Sequence, residues 1–333
     1  MSEPVSETQS DLGAAVDRAA EALEAATSIA LACPLNPDPD ALGSMLGLAG
    51  YLASRGKEVV CSWGNEPLRP QDWASALEGM QWVVEPAAFP RAPDVMVSLD
   101  TASPERLGVL ARSAEEAKEV IVIDHHRTNP GFGSIVVLDP AASSTAELVF
   151  RIVERMGGGL PDAAAADLYA GIVADTGRFQ YEATSPETLR IASVLRRHSF
   201  DHARLGQVLF EQSSLGYLRA LALGLQRLQF VPEASLVWTY LTQADLAEHS
   251  VELSETDDLI DVIRTAREAD VACAVKQQRD GRFKVSLRSR GATDVGSVAL
   301  AHGGGGHRLA AGYTSEWGLA RTIEALIAAL RRD

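Results

Sequence analysis

Three things are scarce in this sequence: cysteine, long apolar runs and positive charge. Its 333 residues include only Cys33, Cys61 and Cys273, with no CxxC pair. That argues against a disulfide framework and against a thiolate zinc site, and it fits a reducing cytoplasm. No charge-free apolar window reaches the ~18 residues of a membrane span. The acidic N-terminus, MSEPVSETQSDLGAAVDRAAEALEAATS, lacks the basic and apolar regions of a signal peptide. Lys and Arg total 30 against 45 Asp and Glu, a formal net charge of −15. Such a balance argues against coating duplex DNA, which requires neutralising many phosphates. A short nucleotide in one local basic pocket is compatible with it. The five tryptophans are scattered and suggest no stacking platform for a long single strand.

What is present is ordinary for a globular protein: 46% apolar and 23% charged residues. The length suggests about two domains. The first ten residues are polar and expected to be disordered, and residues 11–27 are Ala-rich with helical spacing. SIALAC (residues 28–33) reads as a buried strand. It is followed by the loop NPDPD and a helix, ALGSMLGLAGYLASRG, closed by Gly56. KEVVCSW, VMVSLD and EVIVIDHH are further β-branched runs that stop at polar or charged residues. Strands alternating with helices predict a mostly parallel sheet covered on both faces, an α/β architecture. Helices are predicted over 143–156, 161–174 and 185–198, the last with Ser185 as N-cap, Pro186 in its first turn and Glu187 nearby. Residues 201–230 look helical. SLVWTYL, VACAVKQQ and FKVSLRSR then alternate as half-buried strands do, before GGGGHRLAAGYT and a closing helix, LARTIEALIAALRRD. The second half therefore reads as a smaller α+β domain.

Acids collect at the predicted strand ends. Asp38 and Asp40 follow the first strand, Asp100 ends VMVSLD, Asp124, His125 and His126 end EVIVIDHH, and Asp175 follows an apolar helix. Ligands of open α/β sheets bind where strands end at their carboxyl side. So many carboxylates in one crevice need cations between them. Mixed carboxylate and imidazole donors suit Mn²⁺, with Mg²⁺ as the alternative, and a shared carboxylate would make a two-metal hydrolytic site. Taken singly, each residue has a plainer reading: Asp38 and Asp40 as helix caps, Asp100 as a turn residue, Asp175 as a surface acid, GGGGH as a linker. The joint arrangement favours the metal site.

Four segments of the first half carry a resemblance. NPDPDALGS, LDTASPERLG, IDHH and GIVADTGRF are similar in order and spacing to the four motifs of the DHH phosphoesterases. FKVSLRSRG and DVGSVALAHGGGGHRLAAG resemble the DHHA1 substrate-binding domain, and the length suits the oligoribonuclease/pAp phosphatase (NrnA-like) subgroup. The resemblance implies a DHH domain over 13–196, a linker over 197–215 and a DHHA1 domain over 216–333. It implies one metal on Asp38 and Asp100, and a second on Asp40, Asp100, His125 and Asp175, with Asp100 bridging. His126, turned away from its neighbour, would face the substrate phosphate, and Asp124 would orient the imidazoles. Arg288, Arg290, His307 and Arg308 would bind phosphate, with Gly303, Gly304, Gly305 and Gly306 letting backbone N–H groups approach an anion. The substrates implied are short RNA, 3′-phosphoadenosine 5′-phosphate, and cyclic or linear dinucleotides. The implied assembly is a homodimer.

One position departs from that pattern. The family motif opens with a histidine two residues before the asparagine; here the residue is Pro34. Proline has no ligand atom in its side chain. Three outcomes stay open: a weakened first site, a water in place of the imidazole, or a nucleotide-binding protein that cleaves poorly. Pyrophosphatase or exopolyphosphatase activity is a third class of reading, disfavoured by a second half that looks built for a nucleoside.

Overall fold

A computed structural model describes residues 7–331. They form two compact units, one ending at Gln212 and the other starting at Ser213.

In the first unit, strands β1 (Ser28–Cys33), β2 (Glu58–Trp63), β3 (Val95–Leu99), β4 (Glu119–Asp124) and β5 (Ile135–Leu138) make one sheet in the order β2-β1-β3-β4-β5. Every neighbouring pair is parallel. The helices are α1 (Glu7–Ala25), α2 (Pro39–Ser54), α3 (Ala111–Glu116), α4 (Thr145–Met156), α5 (Asp162–Asp175), α6 (Pro186–Leu195) and α7 (His202–Phe210). Alternation along β1 shows why the strand is apolar throughout. Ile29, Leu31 and Cys33 enter a large core shared with α1, α2, α4 and α5, whereas Ala30 and Ala32 enter a smaller one with Met96, Leu107 and Leu110. Both faces are covered, as a parallel sheet requires. Cys33 and Cys61 are free thiols in this interior.

The expected strand β1 matches residue for residue. Asp38 caps α2, Pro39 takes its first turn, and Gly56 leaves it at φ +78°. Gly43 lets α2 lie against α5, since a Cβ there would stand 2.4 Å from the carbonyl oxygen of Asp167. One expectation needs correction and one element was not foreseen. Disorder of the first ten residues falls partly on 1–6, outside the described residues, but α1 already begins at Glu7. The four-residue strand β5 went unpredicted; it is too short to show a period. In α6 the expected N-cap Ser185 and first-turn Pro186 are in place, and Thr188 at the third helical position completes a capping box.

In the second unit, β6 (Gln229–Val231), β7 (Leu236–Leu241), β8 (Val271–Gln277), β9 (Phe283–Ser289), β10 (Gly305–His307) and β11 (Ala310–Ser315) form a sheet in the order β10-β11-β9-β8-β7-β6. Only β7 and β8 pair in parallel. Its helices are α8 (Leu215–Gln226), α9 (Gln243–His249), α10 (Leu259–Ile263), α11 (Val295–Ala301) and α12 (Leu319–Leu330). The region expected to be helical over 201–230 is two helices and a strand: Ser214 caps α8 and β6 begins at Gln229. Half-burial holds for β9 alone. β7 and β8 are buried on both sides, with Val237, Leu241 and Ala272 against α8, α9 and α10, and Trp238, Cys273 and Val275 against α11 and α12. No described helix is long and apolar enough to cross a membrane.

Candidate metal centre

The first unit gathers its acids where its parallel strands end. Asp40 lies in the first turn of α2 and is 1% exposed. Its Oδ2 accepts the N–H of Thr145 at 2.7 Å, and its Oδ1 accepts the N–H of Ala146 at 3.0 Å and the hydroxyl of Ser44 at 3.2 Å. The amino end of α4 thus holds this carboxylate through donors that a helix leaves unpaired. Thr145 also donates from Oγ1 to Oδ1 of Asp100 at 2.9 Å. Asp100 follows β3 at φ +54°, a left-handed backbone that aspartate tolerates better than most residues. That turn is fixed by its N–H, which donates to the carbonyl of Ile123 at 2.9 Å.

The two imidazoles converge on the same acid. Nε2 of His125 and Nδ1 of His126 each lie 3.6 Å from Oδ1 of Asp100. The rings stand 4.9 Å apart at 67°. The expectation that His126 turns away from its neighbour is therefore corrected: β4 stops at Asp124, and strand alternation stops with it. Each ring has its own support. Nδ1 of His125 faces the carbonyl of Ala142 at 3.3 Å, which can only accept, so Nδ1 carries the hydrogen and Nε2 is left to the acids. Nε2 is 3.4 Å from Oδ2 of Asp175 at the end of α5. Asp124, with no exposure, orients His126 alone: its Oδ1 lies 2.7 Å from Nδ1 and also accepts the N–H of His126 at 3.1 Å. The amide of Asn129 donates to the other oxygen of Asp124 at 2.6 Å.

Among the described residues, Asp100, His125 and His126 form one set with ligand atoms within 4.8 Å of one another, and Asp40, His125 and Asp175 form another. Asp38 belongs to neither. It is exposed and its Oδ1 accepts the N–H of Ala41 at 2.9 Å as a helix cap. Its charge nevertheless acts on Asp40, Asp100 and Asp175. Pro34 is buried at the end of β1.

Burial and mutual repulsion dominate the electrostatics. Burial, then the charges of Asp175 and Asp38, push Asp40 up to about 7. Burial, then Asp38 and Asp40, push Asp100 up to about 8. Burial is also the main reason Asp175 rises to about 7, with His125 opposing it. For His126 burial disfavours the imidazolium, but its bond to Asp124 and the charge of Asp100 win, raising it to about 9. Asp124 is the counterpart: burial works to raise it, and the bonds from His126 and Asn129 bring it below its ordinary value. Among the described residues no lysine or arginine forms an ion pair with Asp40, Asp100 or Asp175. A nest of carboxyls and imidazoles with no lysine or arginine ion-paired to its acids among the described residues has the donor chemistry of a divalent-cation site.

Sequence reasoning missed three supports of this centre: Thr145, the carbonyl of Ala142, and Asn129. Only the first carried a signal, since Ser144 and Glu147 have the spacing of a helix start.

The second unit holds the remaining sequence candidates. Arg288 lies near the end of β9, with its Nε 3.7 Å from Asp261. Arg290 donates to the carbonyl of Ala266 at 3.3 Å, and Arg308 to that of Gly291 at 2.7 Å. His307 closes β10 and is exposed. The glycines divide. A Cβ on Gly304 would stand 2.2 Å from the carbonyl of Gly312, and one on Gly306 2.6 Å from that of Ala310, so packing against β11 requires both. Gly303 has φ +79°, and Gly303 and Gly305 face open space.

Comparison with known proteins agrees with this architecture. The model of the DHH family, N-terminal domain, matches residues 28–174, and that of the DHHA1 domain matches 235–332. The chain is 34% identical to the bifunctional oligoribonuclease and PAP phosphatase NrnA of Thermus thermophilus over 94% of this chain and 93% of that one. It is 31% identical to the probable bifunctional oligoribonuclease and PAP phosphatase NrnA of Streptococcus mutans, over 84% and 87%. An exopolyphosphatase-related protein from Bacteroides fragilis superposes with a TM-score of 0.88 at 25% identity, covering 96% of each chain. The chain thus belongs to the DHH family, with a DHHA1 domain as its second part.

Proposed function

We propose that this protein is a metal-dependent phosphohydrolase of short nucleotides, cleaving oligoribonucleotides of a few residues and 3′-phosphoadenosine 5′-phosphate, with cyclic or linear dinucleotides in the same class. One observation carries the reading: Asp40, Asp100, His125, His126 and Asp175 come together, and among the described residues no lysine or arginine forms an ion pair with the three acids. The names of the Thermus and Streptococcus relatives support the substrate class. Asp40, His125 and Asp175 would hold one ion. Asp38 and Asp100 would hold the other, with Asp100 reaching both. Mn²⁺ suits these donors, and Mg²⁺ is the alternative. When bound, such ions supply Lewis-acid polarisation and an activated water.

The chain's own groups do the rest. The imidazolium of His126, anchored at Nδ1 by Asp124, presents Nε2–H to a phosphoryl oxygen and stabilises charge there. Thr145 and the N–H groups at the start of α4 keep Asp40 and Asp100 in place. In the second unit Arg288, Arg290, His307 and Arg308 are the proposed phosphate-binding side chains, with Gly303 and Gly305 leaving backbone open to an anion. The three free cysteines fit a cytoplasmic setting. A homodimer goes with the proposed subgroup; light scattering at twice the mass of one chain would support it.

The test is Mn²⁺-dependent release of mononucleotide from a labelled diribonucleotide, and of phosphate from 3′-phosphoadenosine 5′-phosphate. Both are expected, and pyrophosphate is expected to stay intact. Pro34 favours one second reading, a nucleotide-binding protein with slow turnover. Tight nucleotide binding without product in millimolar Mn²⁺ would establish that reading and overturn the first.

A further inference from the structure

Two of the five tryptophans, Trp63 and Trp73, come together in the fold. Trp63 ends β2 and is fully buried; Trp73, ten residues later, is half-buried, and both line one pocket of about 180 Å³. That volume is smaller than the ~300 Å³ at which pockets for whole drug-sized ligands begin, so it suits one ring system. Pro37 and Leu42 complete an apolar floor. The rim is polar. Arg69 is exposed and forms no ion pair among the described residues, and Gln71 lines the wall beside it. The oxygen of Gln71 is used by the indole N–H of Trp73 at 3.0 Å, leaving its amide N–H₂ to donate. On the opposite side Asn36 and Asn65 brace each other: the side-chain oxygen of Asn65 accepts the N–H of Asn36 at 2.8 Å, and its amide donates back at 3.0 Å.

The pocket adjoins Asp38, two residues before Asp40 of the acid cluster. Asn36 and Pro37 immediately precede Asp38, so their Cα atoms lie within at most about 7 Å of that of Asp38. Leu42 donates its N–H to the carbonyl of Asp38 at 3.0 Å. β2 is the edge strand beside β1, so the pocket opens at the same carboxyl end of the sheet as the acids. A phosphate on the cluster would leave the adjoining nucleoside within reach.

We infer that the Trp63–Trp73 pocket receives a nucleobase of the nucleotide whose phosphate occupies the acid–imidazole cluster, and so makes the protein select base-bearing substrates. The inference rests on the proposed function for its ligand class. The half-buried indole of Trp73, backed by Trp63 and the apolar walls, accepts any base by stacking. Arg69 also lines the pocket, and an exposed guanidinium can stack on a ring or meet a neighbouring phosphate. The amide of Gln71 donates to an acceptor on the base edge.

The test uses the full chain in Mn²⁺ with a non-hydrolysable phosphonate analogue of 5′-phosphorylated diadenosine, and with two versions of it, each abasic at one position. Binding is read by calorimetry and turnover of the natural diester in parallel. The wild type is expected to bind the base-bearing analogue at least about 5-fold tighter than one of the abasic ones, as stacking contributions predict. Arg69→Ala and Trp73→Leu are expected to erase that preference. Arg69→Ala removes an exposed side chain and Trp73→Leu keeps apolar bulk, and melting curves check both folds. Equal binding of all three analogues by the wild type, or a preference that survives both substitutions, overturns the inference. Turnover separates the two levels. Cleavage with an unaltered base preference in the variants refutes the pocket alone; a preference lost in the variants without any wild-type cleavage refutes the phosphohydrolase reading alone.

Discussion

Nδ1 of His126 lies 2.7 Å from Oδ1 of Asp124, and that aspartate has no exposure to water. Each group holds the other's charge. Burial opposes both ions, yet the bond lowers the acid and lifts the imidazole to about 9. The pair reaches the cluster through His126, so Asp124 acts on it only by setting the ring's tautomer, orientation and charge.

Asp124→Asn should therefore bring the titration of His126 in metal-free protein down from about 9 toward the ordinary ~6.5, read from imidazole signals by NMR. Phosphodiester cleavage should fall about 10–100-fold, the usual effect of losing such a support. The stability sign follows from the raised value. The His126 contribution is complete below about 6.5 and is lost as pH rises through about 9. An unshifted titration in the variant would show that Asp124 does not set the charge of His126.

The acids of the cluster carry the opposite sign. Asp40, Asp100 and Asp175 sit at about 7, 8 and 7, whereas unfolded aspartates ionise near ~3.9. The folded metal-free protein binds protons that the unfolded chain has released, so stability from these groups falls as pH rises from about 4 to about 8. Bound Mn²⁺ should replace those protons. Calorimetry in buffers of different ionisation enthalpy should detect proton release on Mn²⁺ binding near pH 6.5, with affinity increasing toward pH 8.5. PH-independent affinity would separate the ion from these acids.

Asp100 and Pro34 test the two ends of the metal assignment. Asp100→Asn keeps a side chain suited to φ +54° and should fold, yet lose at least about 100-fold in turnover if Asp100 serves both ions. Pro34→His restores the imidazole of the family motif. It should strengthen Mn²⁺ binding or turnover about 10-fold, measured by metal titration and initial rates. No change in either would place Pro34 outside the first metal's reach.

Asp167 offers a test away from the site. It is fully buried in α5 and accepts the N–H of Glu78 at 2.8 Å, while its second oxygen has no partner. Burial pushes it up to about 8. Asp167→Asn keeps the acceptor and removes the charge. Relative to the wild type it should gain stability by up to about 1.4 kcal/mol for each pH unit between about 4 and 8. Urea unfolding at several pH values would measure the slope, and a flat difference would mean Asp167 is ionised without cost.

The sequence alone determined the alternation of elements in the first unit, because strands covered on both faces carry continuous apolar runs, as IALAC in β1, VV in β2, VMV in β3 and VIVI in β4 do. It also pointed to Asp40, Asp100 and His125, because residues that follow a strand's carboxyl end share one edge of a parallel sheet wherever they lie in the chain, whereas Asp175, at the end of α5, was indicated by its motif. Tertiary structure decided what local pattern does not encode. The partners of Asp40 and Asp100 come from α4, dozens of residues away. His126 joins Asp100 because its backbone has left the strand, where period-two reasoning ends. Trp63 and Trp73 line one pocket although they lie ten residues apart in the chain. Such contacts depend on which surfaces meet in space, and a hydrophobic period specifies the face a residue takes but not the neighbour across it.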